Sequence, residues 1–177
     1  LPHTQRVYDQ LLHARGLRWV HIHSAGVDRP VYQQLQARGV AISTSSGTNA
    51  LVVAHSVLTG VLMLAREMPT LMQAQRERRW APLVAGVQPR DLAGQQAVVA
   101  GFGPVGRHTA RLLDALGLRV SVLRRTAGTA TDGPHAWPAH AYEQIDALLP
   151  QADWLILACP LSERTHGLLS ADRIGRM

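Results

Sequence analysis

The sequence predicts an α/β fold built on a parallel sheet, and three observations support that prediction. An apolar run at 97–100 enters a glycine-rich turn and is followed by a helical run at 107–116. Short apolar runs alternate with helical runs along most of the chain, which is typical of βαβ units. The 177 residues include 46% hydrophobic residues at a mean hydropathy of -0.02, a balance that suits a globular protein of one or two domains.

The amino-terminal part of the chain alternates between helix and strand. Its predicted elements are, in order, a helix over 4–14, a strand over 17–23, a helix over 31–38 and a strand over 40–42. Gly16 and Gly39 stand where helix C-caps are expected. The strand over 17–23 leads into a tight turn of small residues, Ser24–Asp28. We therefore expect two parallel strands in this part.

Two helices are predicted for the middle of the chain. Residues 50–66 are apolar on more than one helical face, which indicates burial or packing against another subunit. A second helix is expected over 70–80, and 82–88 is expected to form a loop or crossover. These helices predict a dimerisation arm over 49–90.

The carboxyl-terminal part predicts one β-α-β-α-β half of a doubly wound sheet. Strands are expected at 97–101, 118–123 and 153–158, with a surface loop at 127–140 and a short helix at 142–149. The third strand is apolar throughout and is expected to be central. The strand at 97–101 is expected to lack a neighbour from a second half. Such an open edge predicts that the isolated chain aggregates or needs a partner.

The glycine-rich turn has the spacing of a dinucleotide-binding motif. Gly101 suits the tight turn, Gly103 permits close approach of a pyrophosphate, and Gly106 permits close packing of helix on strand. The helix amino terminus then offers free N–H groups to the phosphates. Pro104 has no N–H, so the amides of Val105 and Gly106 are expected to carry more of this binding.

The residues after the second strand indicate which dinucleotide binds. A carboxylate about 20 residues past the glycines would bind the ribose hydroxyl of NAD. At this place the chain has Arg124, Arg125 and Thr126, with no acidic residue. Two guanidiniums and a hydroxyl suit a 2′-phosphate, so NADP(H) is predicted over NAD. The alternative is two solvated arginines in a loop.

Composition disfavours several other classes of protein. The net charge is +6 and the pI about 10.9, but the arginines are scattered and aromatic residues are few, so nucleic-acid binding is not expected. No apolar run is long enough for a membrane span. The single cysteine, Cys159, permits no internal disulfide and favours a reducing cytoplasm. His21 and His23 share one strand face but lack further ligands at matching spacing, so no metal site is predicted.

Four ordered motifs resemble those of the D-isomer-specific 2-hydroxyacid dehydrogenases. They are Leu17–Asp28, the helix from Asn49 to Arg66, Asp91–Gly94 with the glycine motif after it, and Leu157–Leu169. The resemblance implies part of a flavodoxin-like substrate domain at 1–48, the arm at 49–90, and a truncated Rossmann domain at 91–177. It also implies a homodimer and a hydride transfer between NADP(H) and a small 2-hydroxy or 2-keto acid.

The resemblance also implies site residues. The turn at Ala25, Gly26 and Val27 is expected to bind the substrate carboxylate through backbone N–H groups. With the motifs above, the expected cofactor-binding residues are Gly101, Phe102, Gly103, Pro104, Val105, Gly106, Arg124, Arg125, Thr126, Cys159, Pro160 and Thr165. The arginine, acid and histidine of the family's mechanism match nothing here. No catalytic residue is therefore assigned, and the chain alone is expected to be inactive. The alternative function is a nucleotide-binding module without turnover, either a scaffold or a redox sensor.

Overall fold

The computed structural model describes residues 2–82 and 89–177. The chain divides into two compact units, Leu1–Asn49 and Ala50–Met177. The loop or crossover predicted for 82–88 lies, from residue 83 onward, outside the described residues.

The first unit contains two helices and two parallel strands. Its elements are α1 (Pro2–His13), β1 (Trp19–Ile22), α2 (Pro30–Ala37) and β2 (Ala41–Thr44). The strands pair in the register Val20 to Ile42. Val20 and Ile22 point into a small core around the fully buried Leu35, because alternate residues of a strand face the same side. Gly39 ends α2 with a φ of +78°, as expected of a C-cap glycine.

The second unit begins with two helices that meet at a sharp bend. α3 (Ala50–Ala65) and α4 (Met68–Arg76) are inclined at 71°. One side of α3 is buried through Ala54, Val61 and Ala65, whereas Val52 and Leu64 are 67% and 61% exposed. Within the described residues no single helix is long and apolar enough to cross a membrane, and the bent pair passes that test by length and composition only when taken together.

A five-stranded sheet forms the centre of the second unit. Its strands are β3 (Gln96–Ala100), β4 (Arg119–Arg124), β5 (Gly128–Asp132), β6 (His135–Ala141) and β7 (Trp154–Leu157), in the order β5-β6-β4-β3-β7. β5 is antiparallel to β6, and the other pairs are parallel. The predicted α/β fold with a Rossmann-type parallel sheet is therefore confirmed.

Helices cover both faces of this sheet. α5 (Pro104–Ala115) and α3 pack over the face that carries Val99 and Val122. The opposite face, with Val98 and Leu123, is covered by α6 (Ile145–Leu148) and the 3₁₀ turns that flank it. The last described helix is α7 (Ala171–Ile174), whose amino terminus is capped by the Ser170 hydroxyl.

The predicted surface loop at 127–140 is wrong, because these residues form the β5–β6 hairpin. Ala130 and Trp137 face each other across the two strands and are buried in the sheet core. The guanidinium of Arg111 on α5 holds the hairpin by an ion pair with Asp132, with 2.7 Å between Nε and Oδ2. Glycine, threonine and proline favour a loop, but Ala130, Trp137 and Ala139 of the hairpin are buried.

Two predictions about the sheet edges are also wrong. β3 pairs with β4 on one side and β7 on the other, so it does not form an open edge. β7 pairs only with β3 in the described part of the chain and leaves Leu157 53% exposed. The strand predicted to be central is thus the last in the sheet. β4 and β7 lie on opposite sides of β3, so the strand order reverses at β3. Ligands of open α/β sheets bind at the carboxyl ends of the strands at such a reversal.

Candidate functional site

The glycine-rich turn lies between the carboxyl end of β3 and the first turn of α5. Gly101 has a φ of +107°, and a Cβ there would lie 2.6 Å from the carbonyl carbon of Ala158, which follows β7. A Cβ on Gly106 would lie 2.0 Å from the carbonyl oxygen of Gly101. Both positions therefore require glycine, the first for its backbone conformation and both for the close approach of neighbouring backbone.

The same turn presents open backbone to solvent. Gly103 is exposed, and a Cβ there would meet nothing within 4 Å. Pro104 occupies the first position of α5, where a missing N–H costs no helical hydrogen bond. Among the described residues, the amides of Val105 and Gly106 donate to no protein acceptor. A phosphate group fits this arrangement, because free amides at a helix amino terminus bind anions.

A cleft of about 560 Å³ opens beside the glycine-rich turn. Most of the predicted cofactor-binding residues line it, namely Gly101, Phe102, Gly103, Arg124, Arg125, Thr126, Pro160 and Thr165. The residues that line it include three arginines and no acidic side chain. The cleft therefore suits a ligand with several negative charges.

The other predicted residues lie beside the cleft. Pro104, Val105 and Gly106 form the first turn of α5. Cys159 lines a neighbouring cavity of about 280 Å³. Burial raises the pKa of the Cys159 thiol, so the side chain behaves as a small packing group rather than a thiolate.

The two arginines after β4 differ in their contacts. Arg124 is half-buried and donates from Nε to the Thr126 carbonyl at 2.9 Å and from Nη2 to the Thr129 carbonyl at 3.1 Å. Arg125 is exposed, and in the described part of the chain it forms no hydrogen bond or ion pair. Arg124 thus holds the loop and still lines the cleft, and the binding of a 2′-phosphate by both arginines stays a prediction.

The loop after β7 is held by the hydroxyl of Thr165. This hydroxyl donates to the Pro160 carbonyl at 2.6 Å and accepts from the Ser162 amide at 2.8 Å. Thr165 is buried, so these bonds are shielded from water. Its side chain thus shapes the wall of the cleft.

The sequence did not predict four further residues that line the cleft, namely Arg107, Tyr142, Ala158 and Ser162. Arg107 lies on α5, which packs on the sheet, yet helical side chains lean toward the helix amino terminus and so can cover the turn. Tyr142 follows β6, which was interpreted as loop. Burial raises the pKa of Tyr142, while the charge of Arg125 opposes that rise.

The predicted substrate turn, Ala25–Val27, lies in the first unit directly after β1. In the described residues the amides of Ala25, Gly26 and Val27 donate to no protein acceptor. A Cβ on Gly26 would lie 2.8 Å from a carboxylate oxygen of Asp28. The neighbouring His21 hydrogen-bonds the hydroxyls of Ser43 and Ser45. The turn therefore keeps N–H groups without a protein acceptor after a parallel strand.

Together, the parallel sheet, the glycine-rich turn beside the strand reversal and the basic cleft define a dinucleotide-binding protein of the Rossmann type. The family model for the NAD-binding domain of D-isomer specific 2-hydroxyacid dehydrogenases matches residues 58–177, which is more than half of the chain. The chain belongs to this family.

Known proteins resemble the chain over nearly its whole length. Hydroxypyruvate reductase of Thermotoga maritima is 23% identical, over 98% of this chain and 54% of the relative. D-lactate dehydrogenase of Lactiplantibacillus plantarum is 25% identical, over 92% of this chain and 47% of the relative. The chain thus spans about half the length of these relatives.

Solved structures of the family share the fold. A D-isomer specific 2-hydroxyacid dehydrogenase from Xanthobacter autotrophicus, in complex with NADPH and MES, is 31% identical over 75% of this chain and 52% of its own, with a TM-score of 0.60. Phosphoglycerate dehydrogenase from Lactobacillus plantarum is 29% identical over 99% of this chain and 55% of its own, with a TM-score of 0.63.

Proposed function

We propose that this chain binds NADP(H) for an enzyme that transfers a hydride between the cofactor and a small 2-hydroxy or 2-keto acid. The observation that carries the proposal is Arg125, an exposed guanidinium in a cleft without acidic residues, beside the glycine-rich turn. When bound, the nicotinamide cofactor supplies the hydride chemistry.

The residues around Arg125 favour a 2′-phosphate over a ribose hydroxyl. An NAD-specific site of this fold needs a carboxylate to accept from the ribose, and none lines the cleft. Arg124 fixes the loop through the carbonyls of Thr126 and Thr129, which keeps the backbone next to Arg125 in place. A guanidinium held on a fixed loop loses less conformational entropy when it binds phosphate. The relative from Xanthobacter autotrophicus in complex with NADPH is consistent with this choice.

For the substrate, the amides of Ala25, Gly26 and Val27, which donate to no protein acceptor among the described residues, would bind the carboxylate of a keto acid. Backbone N–H groups in a turn form anion-binding concavities. Relatives named hydroxypyruvate reductase and D-lactate dehydrogenase support a small 2-keto acid as the substrate class.

The exposed apolar side of α3 supports a homodimer. Val52 and Leu64 are exposed together with Leu51, Val53, Leu62 and Met63 on the same helix. A helix this apolar is covered when two copies pack together. The single cysteine favours a cytoplasmic protein.

The cofactor assignment is tested by titrating NADPH and NADH against the wild type and Arg125→Met. We expect the wild type to bind NADPH more tightly than NADH. Loss of a charge-assisted hydrogen bond of about 1.5–3 kcal/mol predicts a roughly 10- to 100-fold loss of NADPH affinity in the variant, with NADH binding unchanged. Arg119→Met is the matched control, because Arg119 stands at the opposite end of β4. Equal wild-type affinities for both nucleotides would end the assignment.

Turnover is tested separately with hydroxypyruvate, glyoxylate and pyruvate, by following NADPH absorbance. Oxidation of NADPH with one of these acids is expected of the whole enzyme. Tight nucleotide binding without oxidation of NADPH across the panel would instead favour a nucleotide-binding module without turnover.

A further inference from the structure

A second guanidinium lines the cleft from the α5 side. Arg107 lies in the first turn of α5, and its Cζ is 5.3 Å from the centroid of the Phe102 ring. Its Nε also donates to the Phe102 carbonyl at 3.3 Å. Both contacts turn the side chain back over the glycine-rich turn, toward the amino terminus of its own helix.

Pro104 leaves this helix amino terminus with one donor fewer than usual. Of the first three residues of α5, only Val105 and Gly106 have an N–H to offer an anion. A guanidinium carries five N–H donors and a full charge, and it binds phosphate in a fixed planar geometry. Arg107 therefore supplies, at the same place, donors of the kind that proline removes.

The Phe102 ring, which contacts the Arg107 guanidinium, is in turn held by Trp137. Phe102 meets the indole of Trp137 edge to face, with 5.9 Å between ring centroids and 70° between planes. Trp137 is only 4% exposed and also stacks on His135, at 5.5 Å and 4°. Because Trp137 belongs to the buried face of the sheet, the position of Phe102 is fixed by the core.

The charge of Arg107 is available to a ligand. In the described part of the chain it forms no ion pair, and no acidic side chain lines the cleft. NADP(H) carries two separate anionic groups, the diphosphate bridge and the 2′-phosphate. The cleft likewise carries guanidiniums on two separate elements, on α5 and after β4.

We propose that Arg107 binds the diphosphate bridge of the dinucleotide, and that Phe102 and Trp137 are positioning residues that hold its guanidinium over the glycine-rich turn. The inference rests on the proposed nucleotide function of the cleft. Arg107 would bind the diphosphate bridge, which NADH and NADPH share, whereas Arg125 would bind the 2′-phosphate, which NADH lacks. Substitutions of the two arginines therefore have different effects on ligands that lack one of these groups.

The test measures dissociation constants of three probes, NADH, NADPH and adenosine 2′-monophosphate, for the wild type and three variants. Arg107→Met is expected to weaken NADH and NADPH by the same factor, roughly 10- to 100-fold, and to leave adenosine 2′-monophosphate unchanged. Arg125→Met is expected to weaken NADPH and adenosine 2′-monophosphate but not NADH. Arg119→Met, which removes the same charge from the far end of β4, is expected to match the wild type for all three probes.

The positioning role is tested by a double-mutant cycle with Phe102→Leu. Loss of the ring contact is expected to weaken NADH about 2- to 5-fold in the wild type and to have no further effect in Arg107→Met. Effects that simply multiply would mean that Phe102 acts independently of Arg107 and would overturn this role. Arg107 is exposed, so folding of its variants is expected to be normal and is checked by circular dichroism.

The outcomes separate this inference from the proposed function. NADH affinity of Arg107→Met within twofold of the Arg119→Met control would overturn the role of Arg107, even if NADPH preference is confirmed. Equal binding of NADH and NADPH by the wild type would overturn the 2′-phosphate assignment, while the NADH measurements would still decide the role of Arg107. Binding of neither nucleotide would overturn both.

Discussion

The contact between Gly106 and Gly101 predicts that Gly106→Ala destabilises the protein. The new Cβ would lie 2.0 Å from the Gly101 carbonyl oxygen, a backbone atom that no rotamer change can move. A contact distance of about 3.5 Å requires α5 to move away from β3 by about 1.5 Å. Overpacking costs about 1–3 kcal/mol or more, and alanine returns up to about 1 kcal/mol of helix propensity. We expect a net loss of about 2 kcal/mol in the free energy of unfolding.

Gly60→Ala is the control for this substitution. Gly60 also lies inside a helix, but a Cβ there would meet nothing within 4 Å, so a gain of about 0.5–1 kcal/mol is expected. Urea unfolding followed by circular dichroism measures both variants. NADPH titration of Gly106→Ala is expected to show weaker binding, because the helix amino terminus moves with α5. If both alanine variants were as stable as the wild type or more so, the close packing at Gly106 would not be required.

Two further predictions concern the hairpin and the last helix. Trp137→Ala is expected to cost about 3–5 kcal/mol in urea unfolding, because the indole is buried, whereas Trp80→Ala, at a 90% exposed site, is expected to stay within about 0.5 kcal/mol. A small effect of Trp137→Ala would contradict the hairpin. Hydrogen bonds from Arg173 lower the pKa of Asp146, so its stabilising contribution is complete above the unfolded-state pKa and is lost as pH falls through the folded-state pKa. Asp146→Asn is expected to reduce the fall in the urea midpoint concentration between pH 5 and 2. A fall as large as that of the wild type would contradict this prediction.

The part of the site that the sequence predicted correctly is the part that depends on backbone geometry. Gly101 and Gly106 stand where a positive φ or a close backbone approach excludes any side chain, and such requirements leave a fixed spacing in the sequence. The strand before the turn and the helix after it follow from hydrophobic periodicity. The location of the turn between the carboxyl end of β3 and the start of α5 could therefore be predicted from residues 97–116 alone.

The hairpin could not be predicted in the same way, because its strands are rich in residues that usually interrupt structure. Pro138 is tolerated because its neighbours in β6 still pair with both β4 and β5. The buried Trp137 was the available signal, together with the turn pair Asp132 and Gly133. Once β6 is assigned as a strand, Tyr142 falls at a carboxyl end of the sheet, where residues of the cleft are expected.

Arginine contacts are the feature of the site that sequence cannot decide, because the three arginines that line the cleft are chemically identical. Arg124 and Arg125 are adjacent, yet one donates to two carbonyls and the other remains exposed. Both side chains line the cleft, and Arg107 lines it from α5. The cleft thus carries arginines on two separate elements, an arrangement that a ligand with a single phosphate would not need.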